Sequence, residues 1–182
     1  MARLTSQHIG LLREDVCNAE FLSTLVYQVL MPINCAHCKV PALSALPVST
    51  LVEYEKYFGL DVSTLRCASD QGCAHCQVPG LEVAQGGHAG VKGVKVCAEV
   101  LALDNTILSL LHQGQDLQAR SHWLGLRSSG FDAEDMLGKE AWGHALYDMA
   151  QGRIDPYHFE RTFGSPAVIA RTRQLQPLVG AA

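Results

Sequence analysis

The apolar positions near the start of the chain recur at helical spacing. Ile9, Leu12, Val16, Leu22, Leu25, Val26 and Val29 follow a capping Thr5 or Ser6, and Pro32 ends the run, so the pattern predicts a first core helix passing into a loop. A shorter helix is predicted after Ser49 or Thr50, with Leu51, Tyr54, Tyr57 and Phe58 inward and Gly59 as its stop; a further cap at Asp61 or Ser63 leads to Cys67. Val94, Val96 and Val100 alternate as in a short strand, whereas Leu103, Ile107, Leu108, Leu110 and Leu111 take up helical spacing after Asp104.

The last third is amphipathic and reads as helices. Asp132 caps a helix carrying Met136, Leu137, Trp142, Leu146 and Met149, and Gly152 closes it. Asp155-Pro156 opens another, with Tyr157, Phe159 and Phe163 on its buried face. A terminal helix over 167–175 bears Arg171 and Arg173, and the residues after it are expected to fray.

At 182 residues the chain has the length of one domain with a real core, and 48% hydrophobic residues is ordinary for a globular protein. The expected fold is therefore a single domain over 1–182, mainly α, built around a small zinc-knuckle region at 33–93 with a mainly helical part at 94–176. A formal charge of -4 and a pI near 6.0 disfavour a protein that coats nucleic acid, which needs clustered Lys and Arg. The opening residues carry no basic-then-apolar export signal, and the uncharged stretch 21–38 is broken by Gln28, Pro32 and Asn34. A cytoplasmic protein with no membrane insertion is expected. In that reducing compartment, cysteines at paired spacing point to metal or redox chemistry rather than structural disulfides.

The chemistry is concentrated in a nine-residue unit written twice. Cys35-Ala36-His37-Cys38-Lys39-Val40-Pro41-Ala42-Leu43 and Cys73-Ala74-His75-Cys76-Gln77-Val78-Pro79-Gly80-Leu81 agree at seven of nine positions. Each unit puts two thiols three residues apart on a tight turn, and two such pairs complete the tetrahedral thiolate set that zinc prefers. Cys35, Cys38, Cys73 and Cys76 are the predicted ligands of a Zn²⁺ ion, and a shell filled by four sulfurs leaves no position for a reacting water. Cys67, six residues before Cys73, is a possible substitute ligand or a member of a second site with His37, His75 or His88.

Other chemistries fit less well. Glu82 and His88 are the only candidates near the second pair for an open catalytic shell, and no His-Glu-x-x-His or deaminase signature is present. The spacing lacks the runs of ferredoxin clusters, and a thioredoxin-like pair would sit at a helix start after a strand, whereas Pro32-Ile33-Asn34 gives no clear strand. The glycines between Gly80 and Gly93 predict a flexible loop against the knuckle, not a phosphate loop, because Lys92 is followed by Gly93 and Val94. Cys17 and Cys97 read as small core residues, and His112, His122, His144 and His158 as ordinary helical positions. The arginines of the second half read as solvated helix faces, on which an acidic partner helix could also dock.

Several of these motifs occur in an order that resembles the DotN (IcmJ) family. They are the two knuckles, the run Gly86-Gly87-His88-Ala89-Gly90, the Arg120-Ser121 and Leu126-Arg127-Ser128 pairs, Gly143-x-x-Leu146-x-Asp148 and the terminal Arg-bearing helix. The resemblance covers most of the chain from Cys35 onward. It implies an HNH-like zinc fold, of treble-clef or zinc-ribbon character, that lacks nuclease chemistry. Its role would be that of an adaptor on the coupling ATPase of a type IV secretion or conjugation complex, so that the protein would reach the inner membrane only through its partner. The chain departs from the family pattern at Cys67 and at Gln77-Val78-Pro79, where aromatic residues are replaced. The alternative function is a nucleic-acid-binding zinc-finger regulator, in which Lys92, Lys95 and the C-terminal arginines meet phosphate. An iron–sulfur or zinc enzyme is a third.

Overall fold

Two long strands pair with each other, one of them where helical spacing predicted the first core helix. A computed structural model describes residues 10–77 and 89–175. Its elements are α1 (Arg13–Val16), β1 (Thr24–Asn34), β2 (Val40–Pro41), α2 (Ala42–Ala45), α3 (Val48–Phe58), β3 (Arg66–Cys67), β4 (Val91–Ala102), α4 (Asn105–His112), α5 (Asp116–Gly125), α6 (Ala141–Ala150), α7 (Pro156–Phe163) and α8 (Pro166–Arg173). Helices are the commonest regular element, joined by two small antiparallel sheets, β1 with β4 and β2 with β3. Among the described residues no helix is long and apolar enough to cross a membrane.

The expected helix over the first thirty residues is corrected to a four-residue α1, a turn and then β1. Thr24, Val26, Tyr27, Val29 and Ile33 are β-branched or aromatic, and a valine-rich partner about seventy residues away supplies the ladder that periodicity in one segment cannot reveal. Cross-strand pairs include Val26 with Val100, Leu30 with Val96 and Pro32 with Val94, and the register slips between Pro32 and Asn34. In a two-stranded ribbon each strand is an edge, which is where a proline is tolerated. The short strand expected near Val94 is twelve residues long.

Of the helices after β4, α6 and α7 pack against the ribbon, while α4 packs on α5 and α8 on α3. Asp104 caps α4 through its carboxylate to the Ile107 N–H, 2.8 Å, as expected, and Asp155 caps α7 with Pro156 in the first turn. α3 ends at Gly59, whose φ of +67° is the left-handed geometry of a helix stop. Asp61 does not start a helix; its carboxylate accepts from the Ser63 N–H in a turn that leads into β3. The helix expected from Asp132 begins only at Ala141. Gly138 interrupts it with a φ of +66°, and a Cβ there would lie 2.7 Å from the Arg127 nitrogen, so the chain between Asp132 and Gly138 winds as turns beneath α5.

The main core joins α3, α6, α7, α8 and the inner face of the ribbon. Phe58 packs edge-on to Phe131 and Phe159, with ring centres 5.7 and 6.5 Å apart, and Trp142, Leu146, Met149, Ile154 and Met31 close around them. A smaller cluster of Ile107, Leu111, Ala119 and Trp123 holds α4 to α5. α6 is buried along most of its length, and its polar stripe faces β4. The Glu99 carboxylate accepts from the Ala141 N–H, His144 Nδ1 accepts from the Ala98 N–H at 3.1 Å, and Lys95 Nζ lies 2.6 Å from Asp148 Oδ1.

Candidate metal centre

The duplicated sequence becomes a duplicated turn. In the first copy the Cys38 and Lys39 N–H groups donate to the Cys35 carbonyl; in the second the Cys76 and Gln77 N–H groups donate to the Cys73 carbonyl. Each turn therefore points its two sulfurs to one side. The first turn leaves the end of β1 and the second lies upstream of the start of β4, so ribbon pairing brings the two together at the open end of the ribbon. The Asn34 side chain donates to the Arg66 carbonyl at 2.9 Å, and the Asp155 carboxylate accepts from the Ala68 N–H at 2.6 Å, which ties β3 and the lead-in to the second turn to the same end.

Cys35, Cys38, Cys73 and Cys76 meet there, with all four sulfurs within 4.8 Å of one another. A zinc–sulfur bond of about 2.3 Å in a regular tetrahedron requires sulfur–sulfur edges of about 3.8 Å. Cys35 to Cys73 is 3.8 Å, Cys38 to Cys76 is 3.8 Å and Cys73 to Cys76 is 3.9 Å. The donor set thus fits a tetrahedral thiophilic ion in size and chemistry.

Backbone donors prepare the Cys76 sulfur for negative charge. Burial raises the Cys76 pKa, but the N–H groups of Cys73 and Gly90, together with the neighbouring thiols, outweigh it and bring the group down to about 7. The Cys38 thiol is pushed up to about 12 by burial and by the three thiols around it. Four thiols this close cannot all ionise without a cation between them.

Gly90 closes the site from the ribbon side. Its carbonyl accepts from the Cys35 N–H at 2.7 Å, and at φ +74° a Cβ would stand 2.3 Å from the Ser69 nitrogen and 2.5 Å from its oxygen. The expectation that the glycine-rich stretch packs on the knuckle holds for this residue. Gly90→Ala should destabilise the protein by at least about 2 kcal/mol, through the left-handed backbone and the displaced Ser69 segment. Chemical denaturation combined with metal titration reads both this loss and a weakened metal affinity.

The other sequence-predicted candidates lie elsewhere. Cys67 is not in the group of four: it pairs with Val40 in the β2–β3 sheet and packs in the main core, where burial, then Asp155 and Asp70, push its thiol up to about 12. His37 and His75 occupy equivalent positions and stack on each other, with ring centres 3.8 Å apart and planes at 16°. Both are exposed and neither joins the sulfur cluster. Glu82 and His88 lie outside the described residues. Cys17 and Cys97 lie away from the centre, Cys97 wholly buried. Lys92 is exposed, whereas Lys95 pairs with Asp148 and Arg173 with Glu140.

Sequence reasoning passed over the site around Asp148. This side chain is fully buried, with Lys95 at 2.6 Å and Arg153 at 3.0 Å on one oxygen and His144 Nε2 at 3.7 Å from the other. Because His144 Nδ1 accepts the Ala98 N–H, its proton sits on Nε2, facing Asp148. The spacing of His144 and Asp148 on one helix face was a readable signal. The partners on β4 were not. The Asn34 N–H donates to the Arg153 carbonyl at 2.7 Å, linking this ion cluster to the end of the ribbon that carries the cysteines. No protein-family model matches the chain, and no curated protein matches it.

Proposed function

We propose that this chain is a zinc-stapled, non-enzymatic adaptor, and that its partner is the coupling ATPase of a type IV secretion or conjugation complex. The observation that carries the first part is the closed set of four sulfurs at tetrahedral spacing on two equivalent turns. An ion held by Cys35, Cys38, Cys73 and Cys76 has every position filled, so it joins distant segments and offers no place for a reacting water. Among the described residues no carboxylate or imidazole joins that group. The secretion or conjugation role rests on the order of motifs that resembles the DotN family, from the two knuckles to the terminal arginines.

Elemental analysis of protein purified without added metal should give one zinc per chain, and size-exclusion chromatography with the soluble part of a coupling ATPase should give a shifted, stoichiometric peak. Duplex DNA should leave fluorescence anisotropy unchanged at moderate salt. A brown protein with visible charge-transfer bands would replace zinc by an iron–sulfur cluster. Tight DNA binding with a steep salt slope would replace the adaptor by the nucleic-acid regulator.

A further inference from the structure

An apolar cavity of about 210 Å³ lies where the end of α5, the start of α6 and the end of α8 meet. Leu124, Phe131, Trp142 and Leu175 form its apolar wall, with Arg127 and Arg173 beside them. The volume falls below the range of about 300–1,000 Å³ typical of small-molecule pockets and suits one or two inserted side chains.

The charges around it are unequally used. Glu140, almost wholly buried, is already shared by Arg173, at 3.0 Å, and by Arg120. Lys139, also buried, donates to the Ala133 carbonyl at 2.8 Å. Arg127 is different: its guanidinium lies 4.3 Å from the centre of the Phe131 ring, and no acid pairs with it among the described residues. Among the described residues the buried indole N–H of Trp142 has no acceptor either. An apolar recess with Trp and Phe in its wall and an unspent arginine at its edge has the composition of a protein–protein hot spot.

We propose that this cavity receives a hydrophobic side chain of a partner polypeptide, with an adjacent Asp or Glu of the same segment pairing with Arg127. The inference deepens the adaptor reading, on which it rests, by assigning the partner segment its chemistry. Excess positive charge at the rim favours an acidic segment over a basic one, and the stacked, exposed guanidinium offers two parallel donors to a carboxylate.

The test is peptide display against the zinc-loaded full chain with a random twelve-residue library, followed by fluorescence anisotropy of the selected peptides. The expected result is enrichment of Leu, Phe or Trp next to Asp or Glu, with affinity reduced at least about 10-fold by Arg127→Glu and partly restored by Arg127→Lys. Leu124→Gln, which leaves every charge in place, should weaken the same peptides. Unchanged zinc content and circular dichroism show that the variants are folded. Selection of basic or purely apolar peptides overturns the proposal, as does affinity indifferent to both Arg127→Glu and Leu124→Gln. If a coupling ATPase binds wild type and Arg127→Glu equally well, the cavity assignment falls while the adaptor survives; if no ATPase binds but acidic peptides do, the cavity assignment survives alone.

Discussion

Cys38→Ser or Cys76→Ser is expected to empty the metal centre and unfold the end of the ribbon that carries it. A structural zinc site contributes on the order of 10 kcal/mol, comparable with the whole stability of a domain. The loss spreads because the two turns anchor much else. Gly90 bonds to Cys35, Asn34 bonds to Arg66, and Ala68 bonds to Asp155 at the start of α7, so separating the turns releases β2, β3 and the α7 cap together. Elemental analysis should fall from one zinc per chain to none, with a large drop in thermal midpoint, and a chelator should do the same to wild type. Cys67→Ser is the informative control. It costs core stability, because Cys67 is buried against apolar neighbours, but should keep one zinc per chain. Loss of the metal in that variant would return Cys67 to the ligand set.

Asp148→Ala should destabilise the protein by roughly 1.5–3 kcal/mol, the loss of charge-assisted hydrogen bonds to a buried carboxylate whose cationic partners stay a third to a half exposed. The carboxylate is wholly buried and holds Lys95 of β4 and Arg153 beyond α6 on one oxygen. Without it, two cations are left facing each other, Lys95 partly withdrawn from solvent, and α6 loses its charged contact with the ribbon. A cycle with Lys95→Met, read by denaturant midpoints, separates the pair's own coupling from the penalty of an orphaned charge. Asp148→Leu combined with Lys95→Met should recover much of the loss, since an apolar contact of similar volume can replace a buried pair. Metal content should stay at one zinc per chain throughout, because neither residue touches the sulfurs.

The four-cysteine cluster was the most legible part of this chain. A repeat with the same filling at seven of nine positions announces two equal turns, and the sulfurs meet as that equality requires. Helix ends were also legible where a single residue decides them: Asp104, Gly59 and Asp155-Pro156 each act through a bond or dihedral of their own backbone neighbourhood. The first helix was misread because Leu22, Leu25, Val26 and Val29 fit a helical period, whereas the β-branched and aromatic residues of the same stretch suit a strand. Only β4, far along the chain, decides between them. Gly138 broke another predicted helix for a reason invisible in sequence, the approach of the Arg127 backbone.

Cys-x-x-Cys spacing and capping residues act within a few bonds, so the amino-acid order alone determined the paired thiol turns and the helix ends at Gly59, Asp104 and Asp155-Pro156. Strand pairing, the partners of the buried Asp148, the placement of Arg127 at its apolar recess and the exclusion of Cys67 from the sulfur cluster depend on segments distant along the chain. Only the tertiary structure decided these, because burial and desolvation are properties of what surrounds a side chain and not of its neighbours along the chain.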